Sequence, residues 1–401
     1  MAPDTLALLK DGTSEVVPEG GLEEKLALGR PLRVKLGLDP TASDVTLGWA
    51  VVLHKLRQFQ DAGHVAVLIV GDFTARVGDP SGKSETRPRL EKEAVEAFAD
   101  RLLEQFWLIV SKDRLEVRYN SEWLERMDME TVLRLTSSYT VARMLERDDF
   151  STRYAGGRPI SISEFMYPLL QGYDSVAVEA DIELGGTDQL FNLLVGRELQ
   201  RSWGQAPQVA VTVPLIEGLD GVQKMSQSLG NYVGITEPPD EMFGKLMRIP
   251  DQLIGKYLRL VARMPSGAVD RIDEDLAHGS LKANDQKRAM ARSVVDLYHG
   301  PGAGARAEEG FNRVHRDRGL PEVIADVSIP DRAAENGVVW LPRLLVALDL
   351  ATSNGDARRR IEQGGVKLDD EPVTDPAYEA RVDELSGKVL QVGRRWFGRL
   401  A

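Results

Sequence analysis

The chain has 401 residues, with 50 Lys and Arg against 62 Asp and Glu for a net charge of −12, 42% hydrophobic residues, 37 glycines and no cysteine. That length supports a large core spread over two or three domains, and the missing cysteines exclude disulfide frameworks, thiolate zinc sites and cysteine nucleophiles together. The N-terminus has no basic segment leading into an apolar one, and the longest apolar stretch, 65–70 (VAVLIV), is far too short to cross a bilayer. A soluble, cytoplasmic protein is expected. Its acidity argues against indiscriminate polyanion binding while leaving room for a local basic patch.

Residues 33–39 (RVKLGLD) alternate and stop at Pro40, 47–62 place Val52, Leu53, Leu56 and Phe59 at helical spacing before Gly63, and 64–73 (HVAVLIVGDF) reads as a buried strand. Strand, helix and strand in such quick succession make a βαβ unit. The class is therefore α/β, with a parallel sheet and a ligand site at the carboxyl ends of its strands. Two Gly/Pro-rich loops sit at those ends, DPTASD and GDFTARVGDPSGKSETRP.

An amphipathic helix is expected over 90–111, strands over 115–120, 181–185 and 209–213, and a helix over 187–201. The sheet ends at the loop 214–231. From 238 to 319 the pattern is helical with interspersed charges, and 322–336, rich in Pro, Asp and Ala, reads as a linker. The remainder reads as helix, turn, basic helix, a Gly-Gly stop and a β-turn-β pattern around 369–371. No internal repeat is present.

The loop KMSQS (Lys224, Met225, Ser226, Gln227, Ser228), followed by LGN, brings a lysine and two hydroxyls to the end of the last strand. By composition alone it reads equally well as a surface turn. Its companion is DPTASDVTLGW, which opens a helix after the first strand, and the two together resemble the HxGH and KMSKS signatures of class I aminoacyl-tRNA synthetases. VKLGLDPTASDVTLG, LRQFQDAGH, LIVGDFTARVGDPSGKSETRP, YTVARMLERDDF, YPLLQGYDSVAVEADIELGGTDQLFNLLVGRELQ and PLIEGLDGVQKMSQSLGNY are similar, in order, to consecutive blocks of the bacterial tyrosyl-tRNA synthetases. The likeness continues through EPPDEMFGKLM into a tail similar to the S4-like RNA-binding domain of that family. It implies a Rossmann-like parallel-sheet catalytic domain over 1–234, an all-α domain over 235–321, a linker over 322–339 and an S4-like α+β domain over 340–401.

The implied reaction joins tyrosine to its tRNA. The amino-acid carboxylate attacks the α-phosphorus of ATP, pyrophosphate leaves, and the acyl group of the adenylate moves to a tRNA ribose hydroxyl. Protein groups in such a site mostly position substrates and neutralise charge. Thr41, Thr46 and Gly48 are expected at the ATP phosphates, aided by the partial positive charge of the helix terminus and joined by Lys83, Arg87, Lys224 and Gln227. The absence of GxxxxGK[ST] excludes a Walker loop. Trp49, Gly185, Asp188, Met225, Ser226 and Ser228 complete the implied ATP site. Mg²⁺ would arrive with ATP, and no protein-bound metal site is expected.

Tyr167, Gln171 and Asp174 share one helical face by their spacing. The resemblance assigns Tyr167 and Gln171, with Asp79, to the ammonium of a bound tyrosine and Asp174 to its phenol hydroxyl. Lys35, Gly37, Asp39, Thr74 and Gln189 fill out the same pocket. A buried carboxylate without a partner is costly, so phenylalanine is rejected, by about 10⁵ as this family's own figure.

Residues 341–401 hold ten basic and ten acidic side chains, neutral where the rest carries the whole −12. Arg358, Arg359, Arg360, Lys367, Arg394, Arg395 and Arg399 are expected to face tRNA phosphates, a solvated helix face being the alternative for the arginine triplet. The resemblance further implies a homodimer.

Three signature positions depart from the family. HxGH is Thr46-Leu47-Gly48-Trp49, without either imidazole, and the second lysine of KMSKS is Gln227. Thr46 and Gln227 donate hydrogen bonds but bring no charge, and losing one preorganised donor to a transition-state oxyanion costs about 2.7–4 kcal/mol. Trp49, far larger than an imidazole, crowds the adenosine site unless it packs on neighbouring helix residues. His54 lies about 140° around the helix from Trp49, and neither it nor His64 is an obvious replacement. Two further readings therefore stand beside the ligase: a paralogue that activates tyrosine or an analogue for an acceptor other than tRNA, and a catalytically silent protein that binds tyrosine or RNA.

Overall fold

The computed structural model describes residues 3–79, 91–315, 324–393 and 396–401. The chain forms two compact units, Met1–Pro301 and Gly302–Ala401. In the first, β1 (Glu15–Val17), β2 (Arg33–Leu38), β3 (Val65–Val70), β4 (Leu115–Tyr119), β5 (Ile182–Gly186) and β6 (Val209–Val213) make one sheet in the order β1-β6-β5-β2-β3-β4. All neighbours pair in parallel except β1, which lies antiparallel on β6. The chain winds from β2 outward through β3 and β4, then returns to the other side of β2 with β5. That reversal makes a doubly wound sheet, whose ligand crevice lies beyond the carboxyl ends of β2 and β5.

Strands of a parallel sheet are covered on both faces, so β3 reads VAVLIV and β6 reads VAVTV without alternation. The edge strand β1, only three residues long, is too short to show a period and went unread in the sequence.

The connection from β2 to β3 is the helix Leu47–Asp61, which buries Leu47, Ala50, Leu53, Leu56 and Phe59 on the sheet side. The helices Ile162–Ala177 and Leu190–Ser202 flank β5 in sequence and pack on each other. Gly172 permits their approach, because a Cβ there would stand 2.8 Å from Leu199 and 3.1 Å from the Gly196 nitrogen. The helix expected over 90–111 is shorter, Lys92–Phe106, and the one expected over 187–201 opens with a 3₁₀ turn at Thr187–Gln189 before Leu190–Ser202. After β6 come the helices Pro239–Leu246, Ile254–Leu260, Ser266–Ala277 and Ala283–His299. No helix among the described residues is long and apolar enough to cross a membrane.

The second unit carries the helix Ala303–His315 and two small sheets. Residues 324–340, mostly within the stretch read as a linker, supply β7 (Asp326–Val327), β8 (Ala334–Glu335) and β9 (Val338–Trp340). They are joined by β10 (Val366–Leu368), β11 (Glu371–Pro372), β12 (Glu379–Arg381), β13 (Val389–Val392) and β14 (Trp396–Leu400), in the orders β11-β10-β13-β14-β7 and β12-β9-β8. The helices Leu341–Ala347 and Asn354–Glu362 bury Leu344, Leu345, Ala357 and Ile361 with Val366, Leu390 and Leu400. Asp369 and Asp370, at φ 49° and 68°, turn β10 into β11 as a two-residue hairpin requires.

Candidate active site

The residues just past β2, β3 and β4 form one hydrogen-bonded chain at the crevice. Asp39 accepts from the Thr74 hydroxyl at 2.7 Å through Oδ1 and from the Tyr167 hydroxyl at 2.9 Å through Oδ2. Gly71 lies under the first bond. A Cβ there would stand 2.0 Å from Asp39 Oδ1 and 2.4 Å from Thr74 Oγ1, so any larger residue would separate the pair.

Asp174 shares its helix with Tyr167 and Gln171 and is 3% exposed. Trp123 Nε1 donates to its Oδ1 at 2.9 Å and Asn120 Nδ2 to its Oδ2 at 3.3 Å, while the same Asn120 amide donates to Thr74 Oγ1 at 2.9 Å. A second set holds the amides: Asn192 Nδ2 donates to Gln171 Oε1 at 2.9 Å and Gln189 Oε1 at 3.1 Å, and Gln189 Nε2 donates to Asp79 Oδ2 at 3.0 Å. Gly37 leaves the strand bare, since a Cβ there would meet nothing within 4 Å.

Burial raises the Asp39 carboxyl to about 7, against the hydrogen bonds from Thr74 and Tyr167 and with the charges of Asp79 and Asp174. Burial also raises Asp174 to about 7, opposed by Lys35, Trp123 and Asn120. The Tyr167 hydroxyl is held well above its ordinary value by burial and the Asp39 and Asp79 charges. Three carboxylates converging on one partly buried space suit a ligand that brings a cation and a hydrogen-bond donor.

Lys35, expected in contact with substrate, sits beneath the pocket instead. It is fully buried, with Nζ 2.9 Å from Glu183 Oε1, 2.7 Å from Ser175 Oγ and 3.0 Å from the Gln171 carbonyl. Its ammonium donates two hydrogen bonds and pairs with Glu183 there, and it acts on the site through its charge on Asp174.

Across the crevice, Lys224 Nζ reaches Asp188 Oδ2 at 2.7 Å. The Met225 Cβ lies 3.6 Å from where a Gly48 Cβ would stand, which brings the KMSQS loop onto the start of the helix Leu47–Asp61. The Ser226 and Ser228 hydroxyls are 2.9 Å apart. Thr41 is exposed, its N–H donating to the Asp39 carbonyl at 2.9 Å. At the end of β5, Gly185 lets the next turn fold back, because its Cβ would lie 3.1 Å from that of Gln189.

The three departing positions each have a partner. Thr46 Oγ1 accepts from the Trp49 N–H at 3.3 Å and caps the helix. Trp49, 37% exposed, stacks on Phe106 with centroids 6.5 Å apart and planes at 25°. The Gln227 side-chain amide donates to the Asp44 carbonyl. The nearby histidines are engaged elsewhere. His54 Nε2 is 3.1 Å from the Tyr298 hydroxyl, and burial, reinforced by Arg263 and Arg57, drives its pKa down to about 3; His64 Nδ1 accepts from the Leu32 N–H at 3.2 Å.

In the second unit, Arg358 lies 4.9 Å over the Trp340 ring. Arg359 and Arg360 share Asp356 at 3.2 and 3.1 Å, Lys367 meets Asp370 at 2.6 Å, and Arg399 is 3.9 Å from Asp326. Arg360 holds the Asp356 carboxyl down to about 2. Lys83, Arg87, Arg394 and Arg395 lie outside the described residues.

Sequence reasoning missed Asn120, Trp123 and Asn192. Asn120 had a signal, being the first residue past β4 at the carboxyl edge of the sheet; the other two had none.

A family model described as tRNA synthetases class I (W and Y) matches residues 27–316, and an S4 domain model matches residues 339–385. The chain belongs to the class I tRNA synthetases of this tryptophan and tyrosine group. Its relatives in particular are tyrosine–tRNA ligases. That of Moorella thermoacetica is 52% identical over 399 residues, 98% of this chain and 95% of the relative. That of Geobacter sulfurreducens is 49% identical over 401 residues, 99% of this chain and 98% of the relative. Of solved structures, the tyrosyl-tRNA synthetase of Aeropyrum pernix aligns with a TM-score of 0.62 at 22% identity, over 76% of this chain and 97% of that one. The Archaeoglobus fulgidus enzyme complexed with L-tyrosine gives 0.62 at 23%, over 76% and 98%. At these identities the structural likeness is one of fold.

Proposed function

We infer that this protein is an ATP-dependent tyrosine–tRNA ligase. The observation that carries the reading is Asp174: a buried carboxylate, held by Trp123 and Asn120, that offers an acceptor to a phenol hydroxyl. Tyrosine would lay its ring along the bare strand at Gly37, with its ammonium toward Asp39, Asp79, Tyr167 and Gln171 and with Thr74 and Gln189 holding those groups in place.

Its carboxylate then faces the crevice and attacks the α-phosphorus of ATP, which enters with Mg²⁺. The bond to the β-phosphate breaks and pyrophosphate leaves. Lys224, Lys83 and Arg87, with Thr41, Thr46 and the backbone at Gly48, would steady the departing charge, while Gly185, Asp188, Met225, Ser226 and Ser228 border the nucleotide. A tRNA ribose hydroxyl next attacks the acyl carbon and AMP departs. The division into a catalytic domain (1–234), a helical domain (235–321), a linker and an S4-like domain belongs to the same proposal, as do a cytoplasmic homodimer and tRNA phosphates bound by Arg358, Arg359, Arg360, Lys367, Arg394 and Arg395.

A second reading, a paralogue with a different acceptor or no turnover, is raised by one observation: Thr46, Trp49 and Gln227 bring none of the charge of the family's signature residues to the crevice. Tyrosine-dependent ATP–pyrophosphate exchange separates the two, with phenylalanine as control, followed by charging of tRNA. The ligase predicts exchange and charging by the unaltered protein. Turnover confined to a Thr46→His/Trp49→His/Gln227→Lys variant, or exchange without charging, would favour the second reading.

A further inference from the structure

Besides the backbone bonds that anchor its two ends, from Met225 N–H to the Ile216 carbonyl and from Leu47 N–H to the Val233 carbonyl, the KMSQS loop makes two side-chain attachments on opposite sides of the crevice. Lys224 is held by Asp188, two residues past β5, and Gln227 by the carbonyl of Asp44, six residues past β2. β2 and β5 are the adjacent parallel strands at which the winding reverses. The loop therefore crosses the mouth of the crevice as a strap.

The two attachments differ in kind. Lys224 and Asp188 form an ion pair with side chains 48% and 24% exposed, open to screening by salt and to competition by any charged or hydroxyl-bearing ligand in the crevice. Gln227 makes a neutral bond to a backbone carbonyl, which no salt screens. Around it the loop is braced: Tyr232 donates to Asp44 Oδ2 at 3.3 Å, Ser226 N–H to Asn231 Oδ1 at 2.9 Å, and Asn231 Nδ2 to Asp220 Oδ2 at 2.8 Å.

We propose that Gln227 is a positioning residue: it pins the middle of the strap to Asp44 so that the Lys224 ammonium, the releasable contact, is presented to the nucleotide from a loop already in place. This rests on reading the crevice as the ATP site. Residue 227 acts through Lys224 and does not itself compensate phosphate charge. The loss of a lysine at this position is then a change of task, from charge to tether.

The test compares the unaltered protein with Gln227→Met, which keeps the length of the side chain but has no donor, and Gln227→Lys, whose ammonium can still donate to the Asp44 carbonyl. Hydrogen–deuterium exchange of the loop is read without substrates, so it stands apart from any question of activity. Gln227→Met should speed exchange over 226–231 about 3–10-fold, the size of one hydrogen bond, with β6 unchanged, and Gln227→Lys should restore protection. ATP affinity by equilibrium titration should weaken by a similar factor in Gln227→Met alone. High salt should speed exchange around Lys224 in all three proteins without loosening 226–231 in the unaltered one. Unchanged exchange in Gln227→Met, or failure of Gln227→Lys to restore it, overturns the proposal. So does a Gln227→Met variant that keeps full ATP affinity and loses only turnover, since that would make Gln227 a direct participant.

Discussion

The indole N–H of Trp123 donates to Asp174 at 2.9 Å across 51 positions of sequence, and together with the Asn120 amide it fixes the orientation of the carboxylate. Hydrogen bonds to charged groups contribute about 1.5–3 kcal/mol. Trp123→Phe should therefore raise the KM for tyrosine roughly 10–100-fold in pyrophosphate exchange while leaving that for ATP nearly unchanged. Asp174→Asn should reduce the preference for tyrosine over phenylalanine by about 10²-fold or more, because an amide no longer demands the hydroxyl. Equal loss toward both amino acids would show that Asp174 supports the fold and not the choice of substrate.

Asp39 and Asp174 stand near 7 in the folded protein, against about 3.9 in an unfolded chain. Between those values the folded state holds more protons than the unfolded one, so their contribution to stability falls as pH rises through that window. The ligand-free melting temperature of the parent should fall relative to that of Asp174→Asn as pH rises from 5.5 to 7, because the variant has no proton to lose there. Saturating tyrosine, bringing a cation and a donor, should protect more at pH 8 than at pH 5.5. Thermal scans with and without tyrosine decide this, and a variant as pH-sensitive as the parent would remove Asp174 from the account.

Thr46 caps the helix Leu47–Asp61 with its hydroxyl. Replacing a cap by alanine costs about 0.5–2 kcal/mol, so Thr46→Ala should lower stability in urea by that amount while Thr46→Ser holds. If Thr46→Ala is as stable as the parent, the hydroxyl is available for a ligand and the capping role is wrong.

Arg359 is exposed, its side chain 65% accessible beside Asp356. If it meets a tRNA phosphate, Arg359→Ala should weaken tRNA binding and flatten the plot of log K against log salt by about 0.7–0.9, with pyrophosphate exchange unaffected. A weakened affinity with the original slope would place the residue away from the phosphates.

Much of the catalytic sheet was legible because buried parallel strands leave continuous apolar runs such as 65–70, and Tyr167, Gln171 and Asp174 were legible as a helical face. What stayed hidden depended on partners remote in sequence. Alternation in RVKLGLD cannot say which face of the strand Lys35 takes, and Glu183 and Ser175, which receive it, lie about 140 positions on. The stacking partner of Trp49 is Phe106, on a helix past β3, so residue size alone suggested crowding at the adenosine where the structure has an aromatic pair. Gln227 read as a donor without charge at the phosphates, because a bond to a backbone carbonyl leaves no trace in residue type.

The contact between His54 and Tyr298 joins the middle of the helix that begins at Thr46 to the helix Ala283–His299. His54 stays uncharged down to about pH 3, and burial keeps the proton on the Tyr298 hydroxyl far into alkaline solution. This joint thus has one protonation state at every pH a cell offers. The two helices are joined by a contact that neither acid nor base withdraws.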